Sequence, residues 1–177
     1  MEIRCVTQFD ERQETDRLVR RMYAWRGYRA SDLAAEKLSR RRYTFAAWQD
    51  NDLAATVTLN LDSDFGLLSE SLYPMEIAAL RRRGARICEY SRLASDPAYS
   101  SPWLFDTFFR IAYDFARTRL HCSDAVVEIN PRHARYYERE LGFTLLGPRR
   151  ICPRVDAPAM LLHRDLRHPL AEAVQAA

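Results

Sequence analysis

The apolar residues of this chain change their period several times, and each change marks an element. "EIRCVTQ" near the start alternates as a strand does. Residues 10–26 then place Leu18, Val19, Met22 and Tyr23 at helical spacing among charged neighbours, which predicts an amphipathic helix. Gly27 stands where that helix would end. Ser31 can cap a second helix over 32–42. "YTFAAW" and "LAATVTLNL" read as two strands, and the "QDND" between them as a hairpin turn. "DSDFGLLSESLY" has no period and reads as a loop. "PMEIAALRRRG" has Pro74 at its start and Gly84 at its end, the punctuation of a helix.

Residues 86–94 predict the next strand. Ser101 and Pro102, as N-cap and first helical position, open a helix over 103–120. Leu104, Phe105, Phe108, Ile111, Ala112, Phe115 and Ala116 form its apolar face, and Asp106, Arg110 and Arg117 lie opposite. "AVVEIN" is a buried strand. Pro131 begins a helix that stops before Gly142, and strands over 143–150 and 155–166 close the chain as a hairpin. Helices and strands in this order make a layered α/β (α+β) domain. The reading is one domain over residues 1–167 with a short tail, 168–177.

Composition narrows the class. The chain has 177 residues, enough for one full core. Apolar residues make up 47% and charged residues 29%, as in soluble globular proteins, and no run approaches the ~20 apolar residues that span a bilayer. The first residues lack the basic-then-apolar pattern of a secretory signal, so a cytoplasmic protein is expected. Cys5, Cys88, Cys122 and Cys152 are widely spaced, so free thiols are expected. The four histidines form no ligand pattern, and no metal site is expected.

Charge adds one feature. Of 27 basic residues only Lys37 is a lysine. Residues 129–168 hold eight arginines against Glu138, Glu140, Asp156 and Asp165, a net +4 in a chain whose total is +3. Such a surface is either a solvated arginine face or a docking site for an acidic partner or phosphates. No aromatic-basic module of the nucleic-acid binders is present.

Three strings carry a resemblance. "LDSDFGLLSESLYPMEIAALRRRGARICEYSRLASDP", "INPRHARYYERELGF" and "CPRVDAPAMLL" follow one another, and over residues 10–166 the chain resembles the long-chain N-acyl amino acid synthases. These belong to the GNAT acyltransferase superfamily, and the Glu-x-Ser-Arg string is also similar to that of acyl-homoserine-lactone synthases. The resemblance implies a GNAT-like mixed central sheet of about seven strands with helices on both faces. It also implies a splay between two parallel central strands, here 86–94 and 124–130, which an acyl thioester enters.

The implied reaction moves a fatty acyl group from an acyl carrier protein or coenzyme A thioester to the amino group of an amino acid or similar amine. No cofactor is bound, and the acyl-phosphopantetheine thioester is a co-substrate. Two other readings stand beside it. One is a short-chain N-acetyltransferase that uses coenzyme A. The other is a non-catalytic module that binds acyl carrier protein or an acyl ligand.

Residues divide by chemistry. An α-ammonium cannot attack a thioester until a base takes its proton, and Glu89 is the first candidate. Burial would raise its pKa toward a useful value. The alternative is a carboxylate paired with Arg92 or Arg86. Strict alternation places Glu89 and Ser91 on one sheet face and Tyr90 and Arg92 on the other, unless a bulge intervenes. Arg92 is a candidate to anchor a substrate carboxylate or to hold Glu89. Tyr137 resembles the superfamily tyrosine that protonates the leaving thiolate, with Tyr136 as its alternative.

Tyr23, Trp25, Tyr28, Ser91 and Asp62 are candidates for the substrate pocket. The loop after residue 94 has no glycine, and none occurs between Gly84 and Gly142. The usual coenzyme A pyrophosphate cradle is therefore missing. Ser100 and Ser101 at the following helix N-terminus are candidates for a single phosphate. Arg132, Arg135, Arg139, Arg149 and Arg150 are candidates for docking an acidic carrier protein.

Overall fold

The computed structural model describes residues 1–28 and 41–169. The helix expected over 32–42 lies outside the described residues, apart from its last two positions. The tail beyond Pro169 lies outside them too.

Seven strands form one sheet: β1 (Glu2–Cys5), β2 (Arg42–Gln49), β3 (Asp52–Leu61), β4 (Ile87–Ser95), β5 (Asp124–Ile129), β6 (Thr144–Cys152) and β7 (Ala157–Asp165). Their order across the sheet is β1-β2-β3-β4-β5-β7-β6. β4 and β5 run parallel, and the other neighbouring pairs are antiparallel. The "QDND" hairpin turns through Asp50 and Asn51, both at positive φ, as a two-residue turn between right-twisted strands requires.

Among the described residues, four α-helices cover the sheet: α1 (Phe9–Trp25), α2 (Pro74–Arg82), α3 (Pro102–Asp114) and α4 (Ala134–Arg139). Alternate residues of the central strands decide which helix meets which face. Cys88, Tyr90 and Val127 pack with Leu104, Phe108, Phe109 and Ala112 of α3, and with Tyr137 of α4. Ile87 and Val126 point the other way, to Ile77 and Leu80 of α2. Leu18, Val19 and Met22 of α1 pack on Ala94 near the end of β4. Each leucine, isoleucine, valine, phenylalanine or methionine among them contributes about 1.5–3 kcal/mol when fully buried.

Two helices differ from expectation. The α-helical part of the long helix ends at Asp114, and a π turn (Phe115–Arg119) follows. That turn sets the Phe115 ring against Tyr43 and Phe45, at 5.0 Å and 5.2 Å. The helix after Pro131 opens as a 3₁₀ turn, with Asn130 Oδ1 accepting the Arg132 N–H at 3.2 Å.

The far edge of the sheet is pinned by a close approach. Gly147 of β6 lies under Tyr73, so that a Cβ there would stand 2.5 Å from Tyr73 Cδ1. Tyr73 is fully buried, donates to the Pro148 carbonyl at 3.1 Å, and lies 4.6 Å beneath the Arg150 guanidinium. Gly147→Ala is expected to cost about 1–3 kcal/mol. Thermal melting should show this as a drop of several degrees.

Candidate active site

The parallel ladder between β4 and β5 runs from Ile87↔Asp124 to Tyr90↔Val127 and stops there. β4 continues to Ser95 and β5 to Ile129, so the two strands part over their last residues. Had the ladder continued, Ser91 would have faced Glu128. The backbone groups of Ser91–Ser95 that would face β5 have no strand partner there.

A bulge in β4 accompanies the parting. Thr58 of β3 pairs with Ser91 and Thr56 with Ala94, so Arg92 and Leu93 together oppose Val57. Arg92 has φ 53°, a left-handed conformation that costs a non-glycine residue about 1 kcal/mol. The bulge is the exception to strict alternation that the sequence left open for this strand. Arg92 leaves the Tyr90 face and donates to Asp16 of α1 at 2.5 Å.

A cavity of about 730 Å³ runs through the gap. Its lining includes Glu89, Ser91 and Arg92 from β4, Val127 and Glu128 from β5, and Tyr136 and Tyr137 from α4. Tyr23, Trp25 and Tyr28 line it from the end of α1, Ser100 and Ser101 from the start of α3, and Arg132 from the turn after β5. The sheet residues divide it. Tyr90 and Val127 belong to its aromatic side, and Glu89 and Glu128 to its polar side.

Glu89 is 1% exposed. Its two carboxylate oxygens accept the backbone N–H groups of Leu68 and Ser69, each at 2.8 Å. It is therefore held by a loop rather than by Arg92 or Arg86. Burial pushes its pKa up, while Ser69, the Leu68 amide and Arg154 pull it back. Those amides belong to a 3₁₀ turn (Leu68–Ser71) inside the segment read as plain loop. Arg81 braces that loop, binding both oxygens of Asp62 and both of Glu70.

Asp62, expected in the substrate pocket, is tied to Arg81 at 2.7–2.8 Å, which braces the loop, and it is not among the residues that line the cavity.

Tyr137 is 6% exposed and sits among Phe109, Phe143 and Tyr136, with ring centroids 5.5–5.9 Å away. Burial raises its pKa, so it stays protonated at neutral pH. Tyr136 is also pushed up by burial, to about 12. Both tyrosines reach the cavity.

Ser101 caps α3, its Oγ accepting the Leu104 N–H at 3.2 Å, while Ser100 is exposed. Arg132 donates to the Tyr28 hydroxyl at 2.9 Å and to His133 Nε2 at 3.0 Å. This links the end of α1 to the end of β5 across the mouth of the cavity. His133 has a lowered pKa through burial and the neighbouring Arg132 and Arg26.

Arg135, Arg139 and Arg149 are exposed, and no acid among the described residues pairs with them. Arg150, the fifth docking candidate, differs from these: it donates to the Leu72 carbonyl and pairs with Glu76 at 2.7 Å, joining β6 to α2.

The residues 129–168 spend further arginines internally. Arg164 donates to the Leu141 carbonyl and Arg167 pairs with Asp165. Arg154 pairs with Glu128 at 2.7 Å. Neither Glu128 nor Arg154 was marked by sequence spacing. They come together only because β7 inserts between β5 and β6.

No helix among the described residues is long and apolar enough to cross a membrane.

The profile of the family described as N-acyl amino acid synthase FeeM matches residues 14–165. Among solved structures, FeeM from uncultured soil microbes superposes with a TM-score of 0.87 at 27% identity, covering 94% of this chain and 90% of that one. An acyl-CoA N-acyltransferase from Pseudomonas aeruginosa gives 0.70 at 15% identity over 92% and 98% of the two chains. The CoA-dependent acyl-homoserine lactone synthase BjaI gives 0.67 at 14% identity over 93% and 83%. A comparison with curated proteins finds no significant match. The GNAT-like mixed sheet expected from the sequence is the one observed, with its parting between two parallel central strands. The chain belongs to the FeeM family of N-acyl amino acid synthases, and with that family it is an N-acyltransferase that moves an acyl group onto an amine.

Proposed function

We propose that this enzyme transfers a fatty acyl group from the phosphopantetheine thioester of an acyl carrier protein to the α-amino group of an amino acid. The observation that carries the proposal is the open gap beyond Tyr90 and Val127, with a cavity of about 730 Å³ running through it. Such a volume suits an acyl chain and a small acceptor together.

The steps follow from the side chains present. The acceptor enters as an ammonium, and Glu89, directly or through a water, takes its proton. The neutral nitrogen attacks the thioester carbonyl, forming a C–N bond and an oxyanion. Backbone N–H groups of β4 beyond the last β5 rung can hold that oxyanion. Collapse breaks the C–S bond, the attacking nitrogen gives up its second proton to water, and the thiolate takes a proton from the Tyr137 phenol, which water then restores. Arg92, fixed by Asp16 at the bulge, sets the backbone geometry of the gap. The aromatic residues Tyr23, Trp25 and Tyr28 wall its entrance.

A carrier protein is favoured over coenzyme A by what the loop after β4 contains. The segment between Ser95 and Ser101 has no glycine, and its helix N-terminus suits one phosphate better than a pyrophosphate. Exposed Arg135, Arg139 and Arg149, with Arg132 at the mouth, offer the positive surface an acidic partner needs.

The test is acyl transfer by the purified protein with a fatty acyl carrier protein, the matching acyl coenzyme A and acetyl coenzyme A, against a panel of amino acids. Mass spectrometry should find N-acyl amino acids formed fastest from the carrier protein. Reversal of Arg135, Arg139 and Arg149 to Glu should raise KM for the carrier protein without changing turnover from coenzyme A. Acetylation of a small amine with no long-chain product would overturn the proposal in favour of a short-chain enzyme.

A further inference from the structure

The polar side of the gap holds an arginine whose bonds are unfinished. Arg154 lies just after β6, and its Nη2 donates to Glu128 Oε2 at 2.7 Å. Glu128 is one residue past the last β4–β5 rung, so the pair sits where the strands begin to part. Both residues line the cavity. A guanidinium carries five N–H donors in a planar fork. The Nε–H of Arg154 is buried and has no hydrogen-bond partner. The guanidinium also hydrogen-bonds the Cys152 thiol and meets, through space, the Glu89 carboxylate, so it is the buried Nε–H alone that is left over.

Buried donors are nearly always paired in a working protein, and one at a cavity wall is free to bond whatever enters there, water or ligand. Arg154 is the guanidinium placed on the polar wall beside Glu89 and Glu128. Arg92 is turned to Asp16, and Arg132 stands at the mouth against Tyr28. Arg26 lies at the end of α1, over the Trp25 ring. Among the described arginines that line the cavity, Arg154 is the one paired with a carboxylate of the parting strands, and it is the one we assign to an acceptor whose amine faces Glu89.

We infer that Arg154, positioned by Glu128, binds the α-carboxylate of the acceptor and so selects amino acids over plain amines. The inference rests on the acyl transfer proposed above but names a separate part of the site. The carboxylate survives the reaction, so an N-acyl amino acid product engages the same guanidinium. The site also limits orientation. With the carboxylate on Arg154, the amine is carried toward Glu89 and the gap, where the thioester carbonyl lies. A guanidinium–carboxylate contact of this kind favours the ligand that has the carboxylate by about 10–100-fold.

The experiment uses two ligands that differ by that group alone, N-dodecanoylglycine and N-methyldodecanamide. Their binding to the full chain is read from tryptophan fluorescence, since Trp25 lines the cavity mouth. The wild-type protein should prefer N-dodecanoylglycine by about 10–100-fold. Arg154→Met should abolish that preference while leaving the amide's affinity unchanged, and Arg154→Lys should restore part of it. Turnover with phenylalanine and phenethylamine, run in parallel, should show the same loss of discrimination in kcat/KM.

A wild-type protein without preference, one that binds neither ligand, or an Arg154→Met variant that keeps the preference would each overturn the inference. Carboxylate-selective binding without transfer to any amino acid would instead leave Arg154 in place and remove the acyl transfer proposed above. A melting curve for each variant separates loss of the site from loss of the fold. Should Arg154→Met not fold, Arg154→Gln, which keeps a hydrogen-bond donor for Glu128, is measured in its place.

Discussion

Glu89→Gln is expected to reduce acyl transfer by about 100-fold or more and to leave a folded, somewhat less stable protein. Glu89→Ala is expected to damage the fold as well. The difference comes from the two amides that the carboxylate accepts. Glutamine keeps one oxygen for one N–H but sets its own NH₂ against the other, which costs about 1–3 kcal/mol. Alanine leaves the Leu68 and Ser69 N–H groups buried with nothing to bond, at about twice that cost. This is a large fraction of the ~5–15 kcal/mol by which domains are stable.

pH separates the two variants further. Burial raises the folded-state pKa of Glu89 above its unfolded value. The stability that this group contributes is then fully present below the unfolded pKa of about 4.5 and is lost as pH rises through the folded pKa. The wild type should therefore lead Glu89→Gln most clearly near pH 4, and the lead should narrow toward neutrality. Denaturant titrations at several pH values measure it. Unchanged turnover in a Glu89→Gln protein that is merely less stable would assign the residue to holding the 68–69 loop alone.

The sheet and its helices were legible because they rest on local periodicity. Leu18, Val19 and Met22 could only face one way on a helix, and Leu104, Phe108 and Ala112 likewise, and both faces found the sheet. What escaped depends on contacts between distant residues or on a single backbone angle. A bulge in this strand could be allowed for from the resemblance, but nothing in "EYSRLAS" says that Arg92 takes the positive φ or that its partner is Asp16, 76 residues away. Asp62 looked like a pocket residue because its string resembles the family's. Arg81 claims it, and the spacing of 19 residues between them carries no helical or strand signal.

Among the eight arginines of residues 129–168, charge counting treats all alike. Arg150, Arg154 and Arg164 turn to acceptors on other elements once the strands pair, Arg167 pairs locally with Asp165, and Arg135, Arg139 and Arg149 remain outward. The Cys152-Pro153-Arg154 string was visible as part of the resemblance. Its partner Glu128 was not, because the pairing needs β5 and β6 to sit two strands apart.

Ser91→Trp is expected to leave the protein folded and to cut acyl transfer to below about 1% of wild type, a barrier increase of roughly 2.7 kcal/mol. Ser91 is half-buried, and its one side-chain bond is the 2.8 Å contact that its Oγ accepts from Asn60 Nδ2. Losing that bond costs only about 0.5–1.5 kcal/mol, so melting should shift by a few degrees at most. Activity is a different matter. Ser91 is the first β4 residue without a β5 partner, and its side chain lines the cavity. An indole there fills the space in which the thioester carbonyl must meet both the main-chain donors and the acceptor nitrogen. Ser91→Ala removes the same hydrogen bond without filling the gap, and it should retain most activity. Single-turnover measurements with an acyl thioester, beside melting curves for both variants, make the comparison. Equal losses in the two variants would trace the effect to the Asn60 contact. Full turnover in Ser91→Trp would place the reaction outside the parting of β4 and β5, and the mechanism built on that parting would fall with it.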